Sequence, residues 1–396
     1  MNAGDNREQV LGLILQQLSA YGYSNLSQAI ATHTKVAMTA ESSSRLAELV
    51  SAGQRAEKRQ QADSMSVDDD RSEAGDADGA APVAAARAYS VWYQTRHKGA
   101  ATAAGFSRDG RYVATGSADA SLKVMEVARM RGAARVEDKP VIRTLYHHAA
   151  EITGVAFHPN GLVLASCSED RTIKLFDLSA AQGKYSFQSM RDNHAFRALA
   201  FHPSGEYLAA AGDAREVRLY NVASGKAFLL AGRHAGPVTH VDYASTGALV
   251  ASASRDGSVK LWDGASGKCV RTLDGAHGGH GVAGAVFSRS ARQLLTTGAD
   301  SRACVWDVGS GRAVATCEGA RLDASGSAHA VFAHDGAVLA ADARLNDVAT
   351  WDAASGRLVG RGAPHKQAIT CIAASPTAAA FMTCSVDEGV RYWGAN

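Results

Sequence analysis

The chain is 396 residues long, 46% hydrophobic and 20% charged, with 7% aromatic residues and a formal net charge of +2. That length can bury a large core, and the hydrophobic share is too high for a chain that stays unfolded throughout. No apolar run approaches the ~18 residues of a membrane helix. Asp5, Arg7 and Glu8 also break the start where a secretory signal needs an apolar stretch. The six cysteines (Cys167, Cys269, Cys304, Cys317, Cys371 and Cys384) follow no paired or C-x-x-C spacing. That is the pattern of free buried thiols in a reducing compartment rather than of a disulfide framework.

Charge divides the chain. Residues 1–88 hold 8 Lys/Arg against 12 Asp/Glu, net −4, and residues 89–396 hold 33 against 27, net +6. Six spare positive charges over the longer part do not make the stripe of a dedicated nucleic-acid binder. Direct RNA contact is therefore not expected, and a surface for acidic or phosphorylated protein segments is equally allowed.

In chain order, the first element is helical. Leu11, Ile14, Leu15, Leu18 and Tyr21 follow the 3.6-residue period of an amphipathic helix that Gly22 ends. Ser24 can cap a second helix with Leu26, Ala29 and Ile30 on one face, and Thr39 a third carrying Leu46, Leu49 and Val50 up to Gly53. Three short helices over residues 1–53 bury too little surface for independent stability. The apolar stripes predict a homodimer through this small all-α domain; docking on the rest of the chain is the other solution. Residues 54–88, rich in Ala, Asp, Gly and Ser around Asp68-Asp69-Asp70, read as an acidic disordered linker. Ser64, Ser66 and Ser72 beside the acid run are either phosphorylation sites or part of a solvated spacer.

From residue 89 the period changes. Seven units close at Met125-Glu126, Phe176-Asp177, Tyr220-Asn221, Trp262-Asp263, Trp306-Asp307, Trp351-Asp352 and Trp393-Gly394, at intervals of 51, 44, 42, 44, 45 and 42 residues. A period just above ~40 ending in Trp-Asp is the signature of WD-repeat blades, each about four short strands that can bury their faces only by stacking around a channel. The fold class is therefore all-β: a seven-bladed WD-repeat propeller over residues 89–396, preceded by the small helical domain. Three residues follow Trp393, which leaves the last blade without an outer strand. Tyr89–Thr95 has strand composition and is expected to supply it.

Within the units, polar residues recur at fixed offsets. His234, Ser252, Asp256 and Trp262, and again His365, Thr383, Asp387 and Trp393, match a tetrad in which an Asp orients a His and the chain continues through a hydroxyl to the indole N–H. Repeat five has Thr296, Asp300 and Trp306 with either His277 or His280 as the imidazole. Repeats one (His97, Thr115, Asp119, Met125) and two (His148, Ser166, Asp170, Phe176) lack the Trp. Repeats three and six read Ala214 and Leu345 in place of the Asp, so their blades are expected to be the least rigid.

These assignments weigh against catalysis. The His, Asp and Ser residues that could form a nucleophilic triad are committed to tetrad positions. No phosphate-cradling loop, metal-ligand spacing or nucleophile elbow appears, and no cofactor is expected. The residues just before the tetrad Asp, among them Glu169, Asp213 and Arg255, fall at the rim of one propeller face, where charges of both signs can read a peptide. A merely solvated rim is the other reading.

Several stretches resemble the WD-repeat subunit family of cleavage stimulation factor: HKG (His97–Gly99), SRDG (Ser107–Gly110), TGSADASLK (Thr115–Lys123), PVIRTLY (Pro140–Tyr146), AFHP (Ala156–Pro159), FHPSG (Phe201–Gly205), KLWDG (Lys260–Gly264) and FMTCS (Phe381–Ser385). AFHP and KLWDG occur in many WD-repeat proteins; PVIRTLY, TGSADASLK and FMTCS are more specific. Leu15-x-x-Leu18-x-x-Tyr21-Gly22-Tyr23 resembles that family's homodimerisation domain, whereas the linker and residues 309–330 depart from the pattern. The resemblance implies a nuclear, non-catalytic scaffold in pre-mRNA 3′-end cleavage and polyadenylation. It also implies a homodimer joined to a helical-repeat subunit and, through it, to an RNA-recognition subunit, with contacts to the RNA polymerase II tail. A substrate receptor of a ubiquitin ligase or a chromatin adaptor is the rival scaffold role, because fold alone does not decide function.

Overall fold

Short runs such as ITGVAF, VLASCS and TIKLFD, rich in β-branched and small residues, are separated by turns built on Asp, Ser and Gly, so each run forms one strand of a tight antiparallel meander. In the computed structural model, which describes residues 89–131, 140–179, 185–230, 232–322 and 329–395, these meanders make seven four-stranded sheets. The expected helices of residues 1–53 and the linker 54–88 lie outside the described residues. The blades comprise residues 101–146, 152–191, 196–229, 238–273, 282–317, 331–362 and 369–395, the seventh completed by 89–96.

That completion is the predicted one. Tyr89–Arg96 pairs antiparallel with Gly389–Ala395 as the outer strand of blade seven. A bulge between Val91 and Tyr93 leaves Trp92 out of the ladder, and its ring lies on Gly394 and 5.8 Å from that of Tyr392. A Cβ at residue 394 would collide with the Trp92 ring, which is why this repeat ends in Trp-Gly rather than Trp-Asp.

The inner strands pack side by side around a central channel. Between blades, hydrophobic clusters such as Val113, Met125, Met382 and Tyr392 hold the faces together. A ring of threonines adds to them: Thr102 Oγ1 donates to Ile152 O (2.5 Å), Thr153 to Phe196 O (2.7 Å), Thr239 to Val282 O (2.6 Å), and Thr370 to Ala101 O. Each hydroxyl sits second in its inner strand and ties one blade to the next, satisfying a backbone acceptor that the meander leaves open. On the opposite loops the AFHP and FHPSG motifs acquire a similar role. The His158 ring lies on Gly205 of the next blade and His202 on Gly247, both glycines with positive φ where a side chain would collide with the imidazole.

Two irregularities were not legible in the repeat pattern. A five-residue helix, Val127–Arg131, follows the third strand of blade one and buries Val127 and Met130 against blade seven. It takes up part of the longer first interval. In blade six the inner strand shrinks to Val331–Phe332, so this is the least regular wall of the channel. The six cysteines are all free, five buried and Cys269 exposed.

Candidate partner-binding site

The tetrads fix the loops that surround the channel mouth. In repeat four, Trp262 Nε1–H donates to Ser252 Oγ (2.8 Å), Ser252 lies 2.7 Å from His234 Nε2, and His234 Nδ1 lies 3.3 Å from Asp256 Oδ2. Asp256 also accepts from the Ala235 and Ser258 amides, so one carboxylate holds two loop segments. Repeat seven repeats this: Trp393 to Thr383 at 2.9 Å, Thr383 to His365 at 2.7 Å, His365 to Asp387 at 3.2 Å. In repeat five the imidazole is His277, 2.9 Å from both Thr296 and Asp300, with Trp306 donating to Thr296 at 2.8 Å.

The chain of bonds assigns the protons. An ionised Asp accepts from Nδ1–H, which leaves Nε2 to accept the hydroxyl proton, so the imidazole is neutral. Burial agrees: desolvation lowers the pKa of His148, His234, His277 and His365 below the ordinary value, against the pull of the paired carboxylates. His97 is lowered to about 4, by burial first and then by Lys123. Its Nδ1 reaches Ser121 Oγ (2.8 Å) while Asp119 stands 3.9 Å away.

Repeats three and six, which lack the tetrad Asp, each carry another buried carboxylate. Asp192 stands four residues before its inner strand, as His148 does in blade two. It is buried and ion-paired to Arg218 Nη1 at 2.6 Å. In blade six the buried Asp342 pairs with Arg361 Nη1 at 2.6 Å, and Trp351 Nε1–H donates to the Glu318 carbonyl (2.9 Å) instead of to a hydroxyl. A carboxylate–guanidinium pair thus occupies each of the two blades that lack the tetrad Asp.

At the mouth, Ala118, Glu169, Asp213, Arg255, Ala299 and Val386 occupy equivalent places, each donating its backbone N–H to the residue just before its blade's inner strand. Ala343 of blade six donates to Arg321 instead. Glu169, Asp213 and Arg255 therefore sit on three consecutive blades. Arg197, which the sequence reading passed over, joins the first two: its Nε donates to Asp213 Oδ1 at 3.0 Å and its Nη1 lies 3.6 Å from Glu169 Oε1. It occupies the inner-strand position that carries the staple threonine in blades one, two, four and seven. An Arg in a row of Thr was the available signal. Glu151, also missed, is half-buried beside Glu169, and burial followed by that neighbour raises its pKa.

Inside this ring lies a cavity of about 310 Å³ lined by Glu151, Glu169, Arg197 and Arg255 together with small residues of the inner strands. His329 rests on Gly284, and its ring is 4.2 Å from that of His240, so the two imidazoles form part of the wall. Burial, then His329, pushes His240 well below its ordinary pKa and keeps it neutral. Among the described residues no group of three or more His, Cys, Asp or Glu could hold a metal ion, and no helix is long and apolar enough to cross a membrane.

Seven radial sheets, loops pinned by His–Asp tetrads and a charged mouth over a central channel define a WD-repeat propeller. The family model described as "WD domain, G-beta repeat" matches residues 90–125, 139–177, 186–221, 229–263, 267–307 and 356–394. Between the last two matches lies most of irregular blade six. "Cleavage stimulation factor subunit 50" of Arabidopsis thaliana is 34% identical over 306 residues, 76% of this chain and 71% of that protein. "Nuclear distribution protein PAC1" of Arthroderma otae is 30% identical over 48% of this chain and 32% of its own length. The chain belongs to the WD-repeat family and, within it, to the relatives of cleavage stimulation factor subunit 50.

Proposed function

We propose that this protein is a non-catalytic scaffold subunit of a cleavage stimulation factor complex in the nucleus, acting in pre-mRNA 3′-end cleavage and polyadenylation. The observation that carries the reading is the 34% identity to cleavage stimulation factor subunit 50 across 76% of the chain, far beyond one shared repeat. In this reading residues 1–53 form the homodimer, 54–88 the spacer, and 89–396 the propeller, whose mouth at Glu169, Asp213 and Arg255 takes protein partners. The helical-repeat subunit of the complex is the first of these, and through it the RNA-recognition subunit.

Affinity capture from nuclear extract with the full chain as bait tests the reading. Recovery of the other cleavage-factor subunits is expected, and recovery of a cullin assembly in their place would support the rival ligase role. The homodimer has its own test in light scattering. Leu15→Asp with Leu18→Asp places charge in the apolar stripe of both copies, since a two-fold contact presents the same patch twice. The doubly substituted chain is expected to be a monomer with an unchanged propeller melt. A monomeric unmodified chain at micromolar concentration would refute the dimer.

A further inference from the structure

We infer that the channel mouth takes a peptide segment in which a basic residue, Lys or Arg, is flanked by small apolar residues, with the cation seated beside Glu151. The inference rests on the mouth being the partner site and names what it would hold. The seven rim positions divide sharply: Glu169, Asp213 and Arg255 on blades two to four face Ala299, Ala343, Val386 and Ala118 on the other four. One arc is charged and the remainder is small and apolar, so a segment lying across the opening meets both.

Pairing decides the sign: the cavity wall carries Glu151, Glu169, Arg197 and Arg255, and Asp213 at the rim holds Arg197. Arg197 is ion-paired to Asp213 and Glu169; its charge is felt at Glu151, which makes no ion pair of its own with any described residue. Glu151 lines the cavity half-buried, with a second carboxylate nearby, and a cation supplied from outside would relieve both the repulsion and the lost hydration. The neutral His240 in the same wall adds nothing against a cation. Size limits the ligand: about 310 Å³ is at the low end of the roughly 300–1,000 Å³ of ligand pockets, room for a side chain or two rather than a folded element. Arg255 is exposed and makes no ion pair with any described residue, so among the residues that line the cavity it opposes a cation without being neutralised.

Two variants of the full chain therefore change binding in opposite directions, which a loss of folding cannot imitate. The probe is a short dye-labelled peptide with one arginine among alanines, compared by fluorescence polarisation with the same peptide carrying lysine or glutamate. Expected are binding of the two basic peptides over the acidic one, weakening by roughly five- to tenfold in Glu151→Gln, and strengthening by a similar factor in Arg255→Glu. Preference for the glutamate peptide, indifference to Glu151→Gln, or weaker basic-peptide binding in Arg255→Glu would overturn the inference. Partner capture from nuclear extract separates the two levels. If capture responds to these variants while the basic peptides do not bind, only the ligand class is wrong; if neither responds, the mouth itself is not the partner site.

Discussion

Trp262 shows how much of a blade depends on one hydrogen-bonded chain. Its indole is fully buried and donates to Ser252 Oγ at 2.8 Å, so truncation removes both a large apolar ring and the donor. Trp262→Ala is expected to cost about 3–5 kcal/mol, and Trp262→Phe, which keeps most of the ring, about 1 kcal/mol. Blade two already lives with that second state: Phe176 fills the ring position while Ser166 still bonds His148 at 2.7 Å. Urea unfolding checks the pair, and equal losses for the two variants would remove the hydrogen bond from the account. The tetrad imidazoles also set a pH dependence. A folded pKa below the ordinary 6.5 means the unfolded chain binds protons first as pH falls. Their contribution is thus fully present above pH ~6.5 and falls as pH drops below it, for His97 down to about pH 4, where it titrates in the folded state. For His97 alone the loss amounts to roughly 3 kcal/mol. Asp170 and Asp256, lowered to about 2 mainly by hydrogen bonds that outweigh their burial, add a second loss below their ordinary 3.8. Unfolding free energies measured from pH 8 to 4 should fall in the chain as it stands and fall less in His97→Gln; a flat profile would mean these imidazoles are not held neutral.

Among the elements, the closing strand is where sequence and structure inform each other most. Its composition and position made it legible as a strand, because Tyr, Val, Trp and Thr suit a pleated edge and the segment stands just ahead of the first repeat. The repeats were legible for a similar reason: the Trp, Asp, His and Ser of the tetrads have fixed offsets that survive divergence elsewhere. What the offsets could not reveal were pairs whose partners approach only through strand register. Asp192 with Arg218 and Asp342 with Arg361 lie 26 and 19 residues apart and belong to no shared period. Glu151 and the His240–His329 pair became visible only once the blades were brought around one channel, and Arg197, marked in the sequence only as an Arg in a row of Thr, gained its partners there. The repeat pattern gives no reason for the Trp-Gly ending of the last repeat; the structure does, because Gly394 is required by the Trp92 ring upon it. Gly394→Ala should therefore destabilise the chain by about 1–3 kcal/mol through overpacking. Adding Trp92→Ala should recover part of that loss, since the two sites are in contact and couple. Strictly additive melting shifts would show that the ring tolerates a methyl group there.

At the scale of the whole molecule, the propeller closes by a joint between two distant segments, while each of the other six blades is drawn from one continuous stretch. Tyr89–Arg96 supplies a full ladder to Gly389–Ala395, Tyr89 packs 4.8 Å from Phe381, and the His97 amide donates to Glu388 O at 3.0 Å. Without that strand, Gly389–Ala395 becomes an exposed edge in a blade whose inner strand still packs against blade one, so damage at the joint is felt on both sides of it. A chain beginning at residue 89 keeps the joint, and its propeller should melt within a few degrees of the full chain. A chain beginning at residue 97 differs by only eight further residues. It should nonetheless melt well below the first and aggregate at concentrations where the first stays monodisperse. A synthetic peptide of residues 89–96 added in trans should raise its melting temperature in proportion to the logarithm of peptide concentration, the behaviour of a ligand that binds only the folded ring. If the two truncated chains melt together, or if the peptide leaves the shorter one unchanged, the joint does not hold the ring closed and its stability must come from the blade-to-blade threonine and core contacts alone.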